Sequence, residues 1–221
     1  MTTPRRSSRG NRTVEAILAA AEPQFLEHGF AGTKVDDVAE AAAVGVGTVY
    51  VHFESKDGLY GAVLLRAQEI MVCEYLDPVF DLDLPPWERI EAWCHAYLRF
   101  AEEHESRMRL IALSPFAGTA LAPEELDAPF RARIAESNRR LMDLFTEAGE
   151  SGLLRDLDPM LVSRFVSASV YGMCMMNLRH RPLQLEPDTL RAALTAGLTL
   201  LADGHRGHRF RRSGDAGQID A

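Results

Sequence analysis

From residue 12 to residue 203, apolar side chains recur three and four positions apart, and no stretch of useful length alternates apolar with polar. Such spacing lays side chains along one stripe of an α-helix, whereas a half-buried strand needs a period of two. The chain is therefore expected to be all-α. In "RTVEAILAAAEPQFLEHGF" the stripe is Val14, Ile17, Leu18, Ala21 and Phe25, and Gly29 is a natural C-terminal stop. Pro23 lies inside this run and cannot donate to the carbonyl of Ala19, which predicts a kink or local widening. A short second helix should follow through about Ala42, with Thr33 as its cap, Asp36 three residues on, and Val35, Val38, Ala39 and Ala42 sharing a face. After "VGVG" comes a segment from Gly47 to about Phe53. Ser55 reads as the cap of a long helix to about Leu76, roughly 33 Å at ~1.5 Å per residue. "DPVFDLDLPP" reads as a break. Further helices are expected over 87–103, 107–113, 123–150, from Asp158-Pro159 to about Arg179, and across "EPDTLRAALTAGLTLLADG".

Composition narrows the function classes. The 221 residues suffice for one good core or two small packed units. Cys73, Cys94 and Cys174 are far apart and odd in number, which argues against a disulfide framework or zinc site and for a reducing cytoplasm. No run approaches the roughly 18 apolar residues of a membrane span, and the N-terminus has no apolar segment behind its arginines, so neither a membrane partner nor a secretory signal is expected. There is no Gly-x-Ser-x-Gly and no His-Glu-x-x-His, and His95 and His104 have no metal spacing. The chain is expected not to be an enzyme and to need no cofactor or metal. Its net charge of −8 speaks against nucleic acid, but the distribution softens this. Arg5, Arg6, Arg9 and Arg12 lie in an acid-free N-terminal arm, and Arg206, Arg209, Arg211 and Arg212 in an acid-free C-terminal stretch. Both read as disordered tails.

The stretch "VGVGTVYVHFESK", residues 44 to 56, decides between two phosphate-binding readings. A nucleotide loop needs a strand before its glycines and a third glycine at the helix start. Here a helix precedes them and Tyr50 holds the third position. The lengths instead fit a helix-turn-helix, whose second helix enters the major groove of DNA. Val46, Thr48, Tyr50, Val51 and His52 would face outward, with Val49 and Phe53 anchoring the helix to the core. Thr48, Tyr50 and His52 suit phosphate oxygens, and Lys56 adds charge beside helix N–H groups that favour an anion.

Residues 12 to 60 resemble the DNA-binding domain of the TetR family of bacterial repressors. The resemblance rests on "ILAAA", Phe25 and Gly29-Phe30, on Thr33 with "VDDVA", and on Gly47-Thr48, Tyr50, Phe53 and Ser55-Lys56. It implies DNA contacts from Thr33, Lys34, Val46, Gly47, Thr48, Tyr50, Val51, His52 and Lys56. Three departures stand out. Ala43 occupies a usual glycine, at a cost of roughly 1 kcal/mol if the position is left-handed. Gly45 replaces a serine cap, and Asp36 lies where a basic residue is common. Val46 and Val51 replace polar or aromatic residues at base-contacting positions, which predicts recognition weighted toward thymine methyls.

The expected organisation is a disordered basic arm over 1–11, a helix-turn-helix DNA-binding domain over 12–54, a helical ligand-binding and dimerisation domain over 55–203 with 55–76 as connecting helix, and a disordered tail over 204–221. Ser169, Gly172, Met176, Ala193, Gly197 and Leu201 form small and apolar faces on the last two helices, suited to a four-helix contact with a second copy. A dimer also suits two reading helices about one DNA turn, roughly 34 Å, apart on a palindromic operator. The resemblance implies the same dimer, and an inducer cavity to which Trp93, Tyr97, Phe116, Phe145 and Met173 are the apolar candidates. The function expected is a cytoplasmic, homodimeric repressor released from double-stranded DNA by a small, largely apolar effector, with a corepressor left open. The competing reading is a helical ligand-binding or interaction protein with a degenerate helix-turn-helix, which the charge and the two valines keep open.

Overall fold

The computed structural model describes residues 8–113, 122–152, 154, 157–178 and 184–207. The arginines at 5, 6, 209, 211 and 212, together with Phe116 and Arg179, lie outside the described residues. Among those described there are nine α-helices and no strand. No helix there is long and apolar enough to cross a membrane.

Helix α1 (Ser8–Gly32) buries the stripe Val14, Ile17, Leu18, Ala21 and Phe25 and continues through Pro23. Its helical dihedrals break at Gly29 (φ 67°, ψ 179°), the left-handed conformation that glycine adopts without a Cβ penalty. Helices α2 (Val35–Ala41) and α3 (Val46–Phe53) cross it, and Val35, Val38, Ala39, Val49 and Phe53 close the core between them. Helix α4 (Lys56–Ile70) starts on a Ser55 cap, its Oγ accepting from the N–H of Gly58 at 2.9 Å. The N-terminal core takes in Leu59, Tyr60, Ala62 and Val63 of α4, so the reading head packs against residues beyond 54.

The connecting segment does not end as a plain helix. Met71–Leu76 winds as a π turn and Asp77–Asp81 as a 3-10 turn. The "DPVFDLDLPP" break is thus partly helical, because Val79 and Phe80 are buried in the second core and fold the chain back onto it. Helices α5 (Pro86–Glu103), α6 (Glu105–Leu113), α7 (Glu124–Glu150), α8 (Pro159–Asn177) and α9 (Pro187–Gly207) complete that C-terminal body. Ile90, Cys94, Leu98, Phe100, Phe145, Val166, Val170 and Leu194 lie at its centre. Asp158 caps α8 by accepting from the N–H of Met160 at 2.8 Å, with Pro159 in the first turn.

Contacts of α6 are among those that join head and body. Leu110 of α6 packs into the N-terminal core, and Arg107 of α6 pairs with Glu22 of α1 at 2.5 Å. Both charged side chains are largely shielded, at 24% and 14% exposed, so this pair is screened less than a surface one.

Candidate nucleic-acid interface

The turn between α2 and α3 is a Schellman motif closed by a residue that is not glycine. The N–H of Ala43 donates to Glu40 and that of Val44 to Ala39, both at 3.0 Å, and Ala43 takes φ 53°. The left-handed position expected at Ala43 is present, and Ala43 bears its strain. Gly45 instead has φ −73° and is the N-cap of α3, with no side chain to cap it. The carbonyl of Gly45 accepts from the N–H of Thr48 at 2.8 Å.

The other end of α3 is held by a tighter corner. Glu54 takes φ 64°, its N–H donates to Tyr50 at 2.9 Å, and Ser55 immediately caps α4. With no residue of slack, the orientation of α3 is fixed to that of α4. Val49 and Phe53 face the core as expected, while Val51 is 80% and Tyr50 46% exposed. Val46, Thr48 and His52 are half-buried at the edge of that outward row, and Gly47 is exposed.

Thr33 corrects the sequence reading twice. It does not cap α2, whose N-cap is Lys34 with no side-chain hydrogen bond. Its hydroxyl lies 2.8 Å from the carbonyl oxygen of Gly29 and 3.0 Å from that of Gln24, tying the end of α1 to the start of α2. With Thr33 buried, its only O–H is spent inside the head, so it drops out of the DNA-contact set. Lys34 is exposed. Lys56 lies over the ring of Phe30, 4.7 Å from the centroid, and donates to the Ala31 carbonyl at 3.4 Å, leaving further N–H donors free. Between residues 12 and 56 the bases Arg12, Lys34 and Lys56 are outnumbered by Glu15, Glu22, Glu27, Asp36, Asp37, Glu40 and Glu54. Attraction to phosphate on this head is therefore local rather than a general field.

In the body, Trp93, Tyr97, Phe145 and Met173 all belong to or pack against the C-terminal core. Trp93 and Phe145 are packed into the C-terminal core, where filled space is their role, and Met173 lines an apolar groove between α8 and α9. Tyr97 is half-buried with its ring 5.9 Å from that of Trp93, and burial raises its phenol well above the ordinary range. Two further open spaces carry charged side chains in their walls. A cavity of about 640 Å³ near the start of α9 is lined by Glu102, Glu105, Asn177 and Glu186. A cleft of about 480 Å³ runs between the 71–82 turn, α5 and Arg191. Burial pushes the thiols of Cys94 and Cys174 up to about 12, so neither is an activated nucleophile.

The groove between α8 and α9, about 320 Å³, is lined by Phe165, Ser169, Met173, Ala193, Gly197 and Leu201, among others. Gly172 and Gly197 would each bear a Cβ in open space, so nothing among the described residues requires them to be small. Sequence reasoning missed the Glu22–Arg107 pair. Its partners are 85 residues apart and neither position has a local signature.

The comparisons agree with this geometry. Residues 17–63 match the family described as "Bacterial regulatory proteins, tetR family", and residues 90–201 match "Tetracyclin repressor-like, C-terminal domain". The HTH-type transcriptional regulator RutR of Escherichia coli strain K12 is 31% identical over 160 residues, 72% of each chain. The fold is shared with AibR, solved in complex with isovaleryl coenzyme A and operator DNA (TM-score 0.62, 22% identity, 84% of this chain and 97% of that one). It is shared also with the fatty acid degradation regulator FadR of Bacillus halodurans (TM-score 0.63, 17% identity, 93% and 98%). An all-α chain with this head, this body and these relatives belongs to the TetR family of bacterial transcriptional regulators.

Proposed function

We propose that the protein is a homodimeric repressor that binds a palindromic operator through α3 and leaves it when the helical body takes a small organic effector. The observation that carries the reading is the outward row of α3. Tyr50 and Val51 stand clear of the head on a helix whose two ends are fixed by the Ala43 motif and the Glu54–Ser55 corner. A helix held this rigidly, with polar groups at its edges and an apolar tip, suits phosphate positioning plus contact with base methyls. Lys34, Val46, Gly47, Thr48, Tyr50, Val51, His52 and Lys56 remain the DNA-contact set.

The second copy is supported by α8 and α9, where Leu161, Phe165, Met176 and Leu200 are exposed beside the open glycines. An apolar face of this kind is the usual mark of a protein contact. The effector is supported by AibR, which holds an acyl coenzyme A together with DNA. A ligand that favours one spacing of the two heads changes operator affinity typically ~5- to 150-fold.

Selection of bound duplexes from a random pool at near-physiological salt tests the reading. Enrichment of a palindrome with half-sites about one helical turn apart is expected. A folded, dimeric protein that enriches no sequence would overturn it for the unliganded form.

A further inference from the structure

We propose that the cleft between the 71–82 turn, α5 and Arg191 binds a small amphipathic carboxylic acid bearing a hydroxyl, and that Tyr75 in its wall passes occupancy to the DNA-binding head through His104, Arg107 and Glu22. The inference rests on the effector reading above and gives that effector a site, a chemical class and a route.

The cleft has three kinds of wall. Pro78, Val79, Leu82 and Ala92 offer apolar surface. Arg191 is committed, with one nitrogen on Glu102 and another on Asp188 at 2.7 Å. Arg99 is not committed: its guanidinium lies 5.2 Å from the centre of the Tyr75 ring and has no carboxylate partner among the described residues. It is thus the cation available to a ligand carboxylate, which a guanidinium grips with two parallel hydrogen bonds. Glu102, which also lines the cleft, accepts from Arg191 through Oε2, while its Oε1 is buried with no donor. An unpaired acceptor is costly, so a ligand hydroxyl is favoured once a small turn of the Glu102 side chain brings that oxygen to the cleft. Arg99 and Glu102 are three residues apart on α5, which brings their Cβ atoms within ~5–6 Å on one face. A carboxylate and a hydroxyl on adjacent carbons match that pairing. The neighbouring cavity shares Glu102 but adds Glu105 and Glu186 and has no arginine among the described residues of its wall, so it is the less favourable place for the same anion.

The route to the head is a chain of hydrogen bonds whose protons can be assigned. Arg107 can only donate, so the Nδ1 of His104, 3.2 Å away, accepts. The imidazole proton then lies on Nε2 and donates to the Tyr75 oxygen at 3.0 Å. The Tyr75 hydroxyl in turn donates to Glu103 at 2.5 Å. Arg107 completes the chain by gripping Glu22 of α1 through Nε at 2.5 Å. A ligand that draws Arg99 off the Tyr75 ring disturbs the first link, and the last link is in the head.

Calorimetric titration of the full-length protein with 3-phenyllactate, 3-phenylpropionate and 3-phenyllactamide tests the site without DNA. Saturable binding of phenyllactate is expected, with about tenfold weaker binding of the acid lacking the hydroxyl. The uncharged amide should be weaker still, and Arg99→Gln should bring phenyllactate down to the level of the amide. The route is tested by Arg107→Gln and Glu22→Gln, neither of which touches the cleft. Both should bind phenyllactate as wild type does, yet lose the change in operator affinity that it causes in wild type. No saturable binding of phenyllactate, equal binding of acid and amide, or an unchanged Arg99→Gln overturns the site. Wild-type coupling in both route variants, or no coupling in wild type, overturns the route. If the protein binds the acid but enriches no duplex, the repressor reading fails while the site stands.

Discussion

Gly58 lies so close beneath the carbonyl of Phe53 that a β-carbon there would overlap the oxygen. Gly58 is in the first turn of α4 and Phe53 ends α3, so their approach sets the angle between the reading helix and the helix leading to the body. Ser55 locks the same corner by accepting the N–H of Gly58.

Replacing Gly58 with alanine should therefore cost about 1–3 kcal/mol, since the clash is with backbone and cannot be relieved by a rotamer. Gly47 in α3 is the contrast, because a Cβ there meets nothing within 4 Å. Gly47→Ala should leave stability unchanged or raise it by up to ~1 kcal/mol, as alanine is the better helix former. Urea unfolding of the two variants checks the pair. Equal effects would mean that the corner is not held by this contact.

The same corner shows how far the sequence could be read. Ser55 as a cap, Phe53 as an anchor and Val51 as an outward residue follow from spacing alone, because each depends on neighbours within one or two helical turns. Thr33 looked like a cap for the same reason. It lost that role because Lys34 takes the N-cap position, while the Thr33 hydroxyl turns back to donate to the carbonyls of Gly29 and Gln24 in the preceding helix. Trp93 and Phe145 were equally ambiguous, since a large apolar side chain has the same periodicity whether it fills a core or walls a cavity. The Glu22–Arg107 link and the cleft at Tyr75 arise from elements far apart in the chain, and helical period carries no information about them.

Ala43→Gly should stabilise the head. Alanine at φ 53° holds its Cβ close to the following carbonyl, at roughly 1–2 kcal/mol, and glycine removes that contact while adding entropy to the unfolded chain. A net gain of about 0.5–1 kcal/mol is expected, with the Schellman hydrogen bonds kept. Denaturant unfolding measures it, and a loss of stability would show that the methyl of Ala43 packs favourably.

Gly197→Leu separates folding from assembly. The position opens onto the groove between α8 and α9, and a Cβ there meets nothing within 4 Å among the described residues, so a larger side chain leaves the helix without a clash at its base. Two copies pressed together through these helices would not accommodate it. Light scattering should show a monomer of unchanged helical content, and operator affinity should fall because two half-sites can no longer be held at once. A variant that remains dimeric would place the interface on another face.

Val51 supplies a prediction about sequence reading rather than affinity alone. At 80% exposed on the outward row, it has methyl groups but no donor or acceptor to offer a base edge. The base partner it fits is the 5-methyl of thymine, and burying one such group is worth ~0.8 kcal/mol, about fourfold in affinity. Replacing thymine by uracil removes that methyl and leaves every hydrogen-bonding atom of the pair in place. Scanning the selected operator with uracil should find one position per half-site where wild type loses about this much and Val51→Ala loses nothing further. Val46, half-buried at the start of α3, should show the same coupling at a neighbouring position. Uracil tolerated at every position would mean that the valines only exclude water, and that specificity resides in Thr48, Tyr50 and His52.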